Sequence, residues 1–183
     1  MKNVYSQTEK INDYTIRLFA SDKGLVKLEM FPESNKVSSG EVEKYKSEAS
    51  VSSEKILNEA FRQITEYFNA KRHKFDLPID ITGTPFQMGV WQALRSIPYG
   101  KVVSYGMIAE YIGNPKAVRA VGMANNKNPI AIIIPCHRVL GKDGHLTGFG
   151  SGMDVKQKLL ELEGHQVNSM KIMGVHSWAQ SIG

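Results

Sequence analysis

The segment Ile134-Pro135-Cys136-His137-Arg138-Val139 contains the only cysteine of the 183-residue chain, next to an imidazole and a guanidinium group. A single cysteine cannot form an internal disulfide bond or a multi-thiolate zinc site. It is therefore either a small buried apolar residue, the commoner case for a free cysteine, or a reactive thiol. The flanking cations favour the reactive thiol, because nearby positive charge lowers a thiol pKa. We interpret Cys136 as a nucleophile.

Residues 84–165 contain clear helix boundaries, which predict the elements that must position this thiol. Thr84-Pro85-Phe86-Gln87 predicts a capped helix start, and Ile97-Pro98-Tyr99-Gly100 predicts the end of that helix. Ser104 predicts the cap of a second helix, which Gly113 ends. Asn114-Pro115 predicts the start of a third helix after a connection of about three residues. This is the spacing of a helix-turn-helix.

The third predicted helix is slim, because small residues recur along it while Arg119 projects from it. A slim helix fits either tight packing in a core or close insertion into a groove. Beyond it, the apolar run 131–134 before Pro135 predicts a strand that stops abruptly in front of the cysteine. A last helix is predicted over residues 154–163.

The N-terminal half is predicted to be a small α+β support unit in which no group of residues could do chemistry. Residues 14–20 and 24–31 predict a β-hairpin, and residues 56–68 predict an amphipathic helix. Residues 32–53 are polar and predict an exposed connection. Residues 75–79 predict an edge strand or an extended linker, because Pro78 lies among them.

Charge and hydropathy narrow the function classes. Residues 1–83 carry thirteen basic and thirteen acidic side chains, whereas residues 84–165 carry nine basic and five acidic ones. This excess suits a half that meets a polyanion, although on charge alone a solvated basic surface is the commoner explanation. The N-terminus has no apolar signal region, and no stretch approaches 18 apolar residues, so neither export nor membrane insertion is expected. A single unpaired cysteine suits a cytoplasmic location.

The ordered motifs of residues 80–165 resemble those of the O6-alkylguanine-DNA alkyltransferases, also called methylated-DNA–protein-cysteine methyltransferases. The matching segments are 83–87, 90–94, 97–100, 104–105, 112–117, 119–122, 128–129, 135–139 and 162–165. The resemblance implies an α+β protein with a small N-terminal ribonuclease-H-like α/β domain (residues 1–80). A mostly helical, winged helix-turn-helix-like domain (residues 81–165) and a C-terminal tail (residues 166–183) follow.

The resemblance also implies the catalytic residues. Cys136 would attack the alkyl carbon on guanine O6, and His137 would be its base, acting through a water in family members. Glu163 would orient the imidazole, Tyr105 would donate to the departing purine, and Asn128 would brace the active-site turn. Read without the resemblance, these last three residues are a surface carboxylate, a core tyrosine and a turn former.

The implied partner is double-stranded DNA, bound through the minor groove, with the damaged nucleotide flipped out of the stack. Arg119 would take the place of the rotated base. The implied DNA-binding residues are Arg119, Lys116, Ala117, Ala120, Gly122, Lys127 and Tyr105. The implied guanine pocket consists of Cys136, Val139, Gly148, Phe149, Gly150, Ser151 and Met153. Residues 150–153 depart from the pattern of many relatives, which puts the accepted alkyl size in question.

The expected reaction is single-turnover, because an S-alkylcysteine is a poor leaving group and the chain has no second thiol. No cofactor and no metal are expected, and we expect a monomer. O4-alkylthymine stays open as a second substrate. Two alternatives stay open as well: a protein that recognises alkyl lesions without enzymatic activity, and a helix-turn-helix regulator with an incidental core cysteine.

Overall fold

The structure of the protein is a computed structural model that describes residues 3–32 and 50–172. The chain divides into two compact units, Met1–Ile81 and Thr82–Gly183. The first unit combines a small sheet with one helix, and the second is mostly helical, so the α+β class is confirmed.

The sheet of the first unit has three antiparallel strands in the order β1 (Tyr5–Ile11), β2 (Tyr14–Ala20) and β3 (Leu25–Pro32). The predicted hairpin is confirmed, since β2 pairs with β3 from Tyr14 opposite Pro32 to Ala20 opposite Leu25. Strand β1 was not predicted. Its five central residues are all polar or charged, and so it lacks the apolar alternation by which a half-buried strand is recognised.

Helix α1 (Val51–Phe68) packs against β1 and β2. Its buried face consists mainly of the predicted apolar residues Leu57, Ala60, Phe61, Ile64 and Tyr67. The Ser50 hydroxyl accepts from the Ser53 amide at 3.1 Å, so the helix starts at residue 51. Residues 51–53 are therefore helical, not part of an exposed connection, while residues 33–49 of that connection lie outside the described residues. Ile79 forms a single parallel bridge with Leu25, as suits an edge position.

The second unit contains α2 (Pro85–Arg95), α3 (Tyr105–Tyr111), α4 (Val118–Asn126) and α5 (Met153–Leu162). Two predicted caps are confirmed. Thr84 and Gln87 form a reciprocal capping box at the start of α2, and the Ser104 hydroxyl accepts from the Met107 amide at 3.2 Å at the start of α3. Each of these helix starts is thus determined by a cap that involves only four consecutive residues.

The prediction for the third helix is wrong at its start. Helix α4 begins at Val118, and its N-cap residue, Ala117, makes no side-chain cap bond. The Asn114 carbonyl instead accepts from the Ala117 amide at 2.9 Å, an i to i+3 bond that closes a turn around Pro115. The connection from α3 therefore spans residues 112–117 and is longer than the three residues predicted.

The predicted strand at 131–134 is also wrong. Residues 130–134 form a tight turn, in which the Ile134 amide donates to the Ile130 carbonyl at 2.9 Å and Ile132 has a φ of 72°. Ile130, Ile132 and Ile134 are completely buried. A short apolar run is consistent with any buried backbone, and here hydrophobic burial holds a turn instead of a strand.

Two short parallel strands lie next to the turn that carries the cysteine. Strand β4 (Val103–Ser104) pairs with β5 (Val139–Leu140), with Val103 opposite Val139. Tyr105 follows β4 directly, and a short 3-10 helix, Cys136–Arg138, directly precedes β5. The pairing therefore brings the start of α3 alongside the turn that carries the thiol.

The described part of the C-terminal tail packs onto this unit. Ile172 is buried in a cluster with Val102, Leu140, Leu146 and Leu160. Its amide donates to the Gly144 carbonyl at 3.0 Å, and the Leu146 amide donates to the Met170 carbonyl at 2.8 Å. Residues 166–172 thus cover the strand that follows the cysteine, and residues 173–183 lie outside the described residues.

Candidate active site

The Cys136 thiol is buried, with 4% of the residue exposed, at the first position of the 3-10 helix. Burial raises the pKa of this thiol, while an Asn128 hydrogen bond and the charge of Lys156 act in the opposite direction. The expectation of a lowered thiol pKa is therefore wrong, because burial outweighs the nearby positive charge. Cys136 rests as a thiol, and a nucleophilic reaction requires a base that removes its proton.

His137 and Glu163 form a pair whose side chains are both completely buried. His137 Nε2 lies 2.8 Å from Glu163 Oε1. Burial lowers the pKa of His137 although Glu163 opposes the shift, so the ring is neutral at pH 7. Burial alone would raise the pKa of Glu163, but His137 and Arg138 outweigh it and hold that pKa well below its usual range. An ionised carboxylate accepts from Nε2–H, which leaves Nδ1 as the basic nitrogen.

Arg138 binds the same carboxylate and was not predicted as a site residue. Its Nε and Nη2 donate to Glu163 Oε2 and Oε1, each at 2.9 Å, and its Nη1 donates to the Ile97 carbonyl at 2.5 Å. The Gly100 amide also donates to Glu163 Oε2, at 3.1 Å. Gly100 has a φ of 69°, a conformation that favours glycine. Glu163 directly follows α5, and its donors fix its orientation from two separate segments, the 3-10 helix and Gly100.

Asn128 braces the turn in front of the cysteine, as the resemblance implies. Its Nδ2 donates to the Ile134 carbonyl at 2.7 Å, and its Oδ1 accepts from the Ile130 amide at 3.0 Å. Its own amide donates to the Asn125 carbonyl at the end of α4. Asn128 therefore ties the active-site turn, through its side chain, to the end of α4, through its main-chain amide.

Tyr105 is the first residue of α3 and is half-buried. Burial raises the pKa of its phenol, so the hydroxyl keeps its proton at neutral pH and can donate. Its Oη makes long contacts with Thr147, 3.5 Å to the carbonyl and 3.4 Å to Oγ1. The phenol thus lies against the loop that leads into the predicted guanine pocket.

The predicted pocket residues lie at both ends of the loop from β5 to α5. Val139 is completely buried, whereas Gly148 and Gly150 are exposed and Phe149 and Ser151 are half-buried. A side chain at Gly148 would meet the Asn126 amide group at 3.4 Å, and its φ is 27°. Met153 packs against the hydrophobic cluster around Leu140, and so part of its side chain belongs to the core.

Lys156 is a second site residue that sequence reasoning missed. It is completely buried, and its Nζ donates to the Val139 carbonyl at 2.6 Å and to the Thr147 carbonyl at 2.8 Å. Burial lowers its pKa to about 8. Lys156 lies on the buried face of α5, together with Val155, Leu159 and Leu160. The helical spacing of Lys156 relative to these apolar residues was the signal in the sequence that could have predicted its burial.

The predicted DNA-binding residues form an exposed surface at α4. Arg119 and Ala120 are exposed, as are Lys116 before the helix and Lys127 after it, while Ala117 and Gly122 are half-buried. The Trp91 indole donates to the Ala124 carbonyl at 2.9 Å and anchors the last turn of α4 to α2. A Cβ at Gly122 would lie 3.9 Å from the Tyr105 ring, an ordinary packing distance, so α4 passes close to the start of α3.

Within residues 3–32 and 50–172, no helix is both long and apolar enough to cross a membrane. No group of three or more histidine, cysteine, aspartate and glutamate side chains in these ranges could hold a metal ion.

Both units match models of one protein family. Residues 85–165 match the 6-O-methylguanine DNA methyltransferase DNA-binding domain, and residues 5–81 match the ribonuclease-like domain of the same proteins. Fold and site therefore define a two-domain protein with a DNA-binding half that carries a buried Cys-His-Glu group. The chain belongs to the 6-O-methylguanine DNA methyltransferase family.

Relatives and solved structures agree with this assignment. The methylated-DNA–protein-cysteine methyltransferase of Methanosarcina acetivorans is 56% identical over 114 residues, which cover 62% of this chain and 73% of the relative. The crystal structure of Mycobacterium tuberculosis O6-methylguanine methyltransferase has a TM-score of 0.74 and 40% identity, over 87% of this chain and 92% of that one. A structure of Mycobacterium tuberculosis OGT in complex with DNA matches with the same values.

Proposed function

We propose that this protein repairs DNA directly, by irreversible transfer of the alkyl group from guanine O6 to Cys136. The observation that carries the proposal is the completely buried His137–Glu163 pair. His137 directly follows Cys136, the only cysteine of the chain, and all three residues lie within the family's DNA-binding domain. The relatives' shared name, methylated-DNA–protein-cysteine methyltransferase, supports the same reaction. The DNA complex of the Mycobacterium tuberculosis protein supports DNA as the partner.

The chemistry is an in-line displacement at the alkyl carbon. The Cys136 proton passes to Nδ1 of neutral His137, directly or through a water, and Glu163 stabilises the imidazolium that forms. The sulfur–carbon bond forms as the carbon–O6 bond breaks, and the electron pair of that bond stays on the purine. Tyr105 donates to the purine as its negative charge develops. The purine anion takes up one proton and His137 releases the one that it received, so the products are an S-alkylcysteine and a restored guanine.

The target must leave the duplex before the thiol can reach it. We propose that α4 enters the minor groove, which is about 6 Å wide and admits few bulky side chains. Arg119 then occupies the space that the rotated nucleotide leaves, while Lys116 and Lys127 contact phosphates and supply affinity that is independent of sequence. All three side chains are exposed and therefore accessible to DNA.

The extrahelical guanine would lie against Val139, Gly148 and Phe149. Its exocyclic amine would meet the backbone carbonyls of Cys136 and Val139. Each of these carbonyls already accepts one bond, from the Val139 amide and from Lys156 Nζ respectively. A carbonyl oxygen has two lone pairs, so each keeps one for the guanine amine.

Two other functions are disfavoured by particular residues. A protein that only recognises lesions needs no nucleophile, yet here the sole cysteine directly precedes a neutral, buried histidine that is held by a carboxylate. A regulator that reads bases needs several long polar side chains on its recognition helix. The exposed residues of α4 include only two polar side chains, those of Arg119 and Asn126, beside Val118, Ala120 and Met123. We also propose a monomer that acts in the cytoplasm, as expected from the sequence.

Transfer of a labelled methyl group from O6-methylguanine in duplex DNA discriminates these functions. The wild-type protein is expected to acquire the label on Cys136. Cys136→Ala is expected to lose transfer completely while it keeps its fold and its binding to the lesion, because affinity comes from the cations and α4. Label acquired by the Cys136→Ala protein would refute the assignment of the nucleophile, and a wild-type protein that binds without acquiring label would be a recognition protein.

A further inference from the structure

Residues 166–172, which we call the tail segment, follow the match to the family's DNA-binding domain, which ends at residue 165. The proposed transfer chemistry does not use this segment. It nevertheless carries a buried side chain, that of Ile172, which is only 4% exposed. Burial of a large apolar side chain requires the backbone that carries it to be ordered, so the tail segment has a fixed place on the second unit.

Backbone hydrogen bonds join the tail segment to the stretch that leads into the proposed guanine pocket. The Leu146 amide donates to the Met170 carbonyl at 2.8 Å, and the Ile172 amide donates to the Gly144 carbonyl at 3.0 Å. Leu146 and Gly144 are both buried. A buried backbone group without a partner is unfavourable, so this stretch depends on the tail segment for two of its hydrogen bonds.

A tight turn in the tail segment sets the spacing of these two groups. The backbones of Asn168 and Lys171 exchange two hydrogen bonds, at 3.0 and 2.9 Å, across Ser169 and Met170. Ser169 has a φ of 49° and Met170 a φ of 60°, the left-handed values of a type I′ hairpin turn. Such a turn usually contains glycine, and residues with a side chain adopt it only where surrounding contacts hold them. The contacts of the tail segment therefore determine its shape.

Side chains connect the tail segment to both ends of the pocket loop, residues 147–152. Leu146, which precedes the loop, and Ile172 are buried in one hydrophobic cluster. Met153, which follows the loop, packs against the same cluster, as does Met170. The cluster thus fixes where the loop begins and where it ends.

The pocket loop requires such support because three of its six residues are glycine. Gly148 has a φ of 27° and Gly152 a φ of 100°. Glycine restricts the backbone less than any other residue, so a loop of this composition does not hold a single conformation by itself. Phe149, which would contact the base, therefore takes its position from the two ends of the loop.

We propose that the tail segment is a positioning element for the substrate: it holds the pocket loop in the conformation that receives the guanine base, and Ile172 is its main positioning residue. The two backbone bonds fix the stretch before the loop, and the cluster fixes both of its ends. This inference rests on the proposed function and adds to it the element that shapes the base pocket.

Matched variants separate a positioning role from a merely stabilising one. Ile172→Ala removes most of the side chain from the cluster, and Ile172→Val is its conservative counterpart. Leu94→Ala is the control for lost stability, because it removes the same number of carbon atoms from a completely buried position in α2, outside the cluster. Deletion of residues 166–183 removes the tail segment, whereas deletion of residues 175–183 keeps it. All proteins are compared at a temperature at which thermal unfolding shows them to be folded.

The first measurement is the rate of benzyl transfer from free O6-benzylguanine to Cys136 as a function of its concentration, because a free base requires neither DNA binding nor flipping. Ile172→Ala is expected to raise the half-saturating concentration about tenfold, as for a binding group that is slightly misplaced. Deletion of residues 166–183 is expected to raise it at least as much. Ile172→Val, Leu94→Ala and the deletion of residues 175–183 are expected to stay near the wild-type value. An unchanged half-saturating concentration in Ile172→Ala, or an equal rise in Leu94→Ala, would overturn the proposal.

The second measurement does not depend on alkyl transfer. Hydrogen exchange compares the Leu146 amide, which donates to the tail segment, with the Ile134 amide, which donates to Ile130 within the active-site turn. Ile172→Ala is expected to speed exchange of the Leu146 amide by about tenfold more than that of the Ile134 amide, because only the first lies where a local contact is lost. Leu94→Ala should affect both amides alike. Equal acceleration of both amides in Ile172→Ala would reduce the tail segment to general stabilisation and overturn the proposal.

If Ile172→Ala does not fold, Met170→Ala takes its place, since the Met170 side chain is only half-buried against the cluster. The same two measurements then decide, with the same overturning results. Failure of the proposed function would give a different result. A wild-type protein that acquires no benzyl group would refute alkyl transfer, while hydrogen exchange would still test whether the tail segment holds the loop.

Discussion

Glu163 accepts hydrogen bonds from His137, from Arg138 and from the Gly100 amide, and this sharing sets the protonation states of the active site. Its charge is compensated mainly by Arg138, so His137 can remain neutral beside an ionised carboxylate. A neutral imidazole can take a proton, whereas an imidazolium cannot. The arrangement therefore supplies a base to a thiol whose own pKa is raised by burial.

These protonation states predict how stability depends on pH. His137 has a folded pKa below its ordinary value of 6.5, so between these two values the unfolded chain binds a proton that the folded site does not. Glu163 likewise has a folded pKa below its ordinary value of 4.5. The free energy of unfolding is therefore expected to fall as the pH drops below about 6.5, and to fall more steeply below 4.5.

Urea denaturation between pH 8 and pH 3.5 measures this dependence, with Glu163→Gln as the informative variant. This variant is expected to lose about 3 kcal/mol at pH 7, because Arg138 keeps a buried charge without its carboxylate. The fall in the free energy of unfolding below pH 4.5 that comes from protonation of Glu163 should be absent in this variant. Glu161→Gln, on the exposed face of α5, is the control and should follow the wild-type curve. An unchanged acid loss in Glu163→Gln would contradict the assigned protonation states.

At the scale of elements, α4 is held from two sides and left open on a third. Trp91 of α2 anchors its last turn, and at Gly122 the helix passes close to Tyr105 of α3. Arg119 lies on the exposed side. A rigid helix that presents one long cation suits insertion beside a displaced nucleotide better than recognition of bases in sequence.

Arg119→Ala is accordingly expected to slow repair of O6-methylguanine in duplex DNA by at least about tenfold, while its reaction with free O6-benzylguanine stays near the wild-type rate. The physical reason is that Arg119 stabilises the extrahelical state, and unstacking a base costs a few kcal/mol. Arg95→Ala, an exposed arginine at the end of α2, is the matched control. Equal losses on both substrates would place Arg119 in folding or in the pocket instead.

Some elements were predicted correctly from the sequence and others were not. The difference is whether residues close together in the chain decide the structure. The starts of α2 and α3 depend on caps within four residues, and both predictions are confirmed. The start of α4 was misplaced because Asn114 and Pro115 suit a turn as well as a helix start. The apolar run 131–134 was misread because burial does not distinguish a strand from a turn.

For the site residues too, the success of the prediction depended on how far apart the interacting residues lie in the sequence. His137 beside Cys136 is visible in the sequence, whereas Glu163 lies 26 residues from its partner and was assigned only through the resemblance. Arg138 and Lys156 were missed as site residues, because their acceptors are up to 41 residues away. The position of Lys156 on the apolar face of α5 indicates burial, but no local pattern indicates which acceptors a buried cation will find. Their roles required the folded arrangement.

At the scale of the whole molecule, the second unit contains every residue proposed for chemistry and for DNA contact. The first unit contributes a sheet and helix that match the family's ribonuclease-like domain. The single thiol of the chain constrains the reaction, because a thioether on Cys136 has no neighbouring thiol to displace it. The protein is therefore expected to be consumed as it repairs.

Titration of a fixed amount of protein with excess duplex DNA bearing labelled O6-methylguanine tests this claim most directly. After long incubation, the labelled groups on protein and in solution are counted, and the labelled peptide is identified. At most one methyl group is expected to be transferred per protein molecule, and all of the label is expected on the peptide that contains Cys136. Continued loss of label from DNA beyond one equivalent, or label on any other residue, would contradict this expectation.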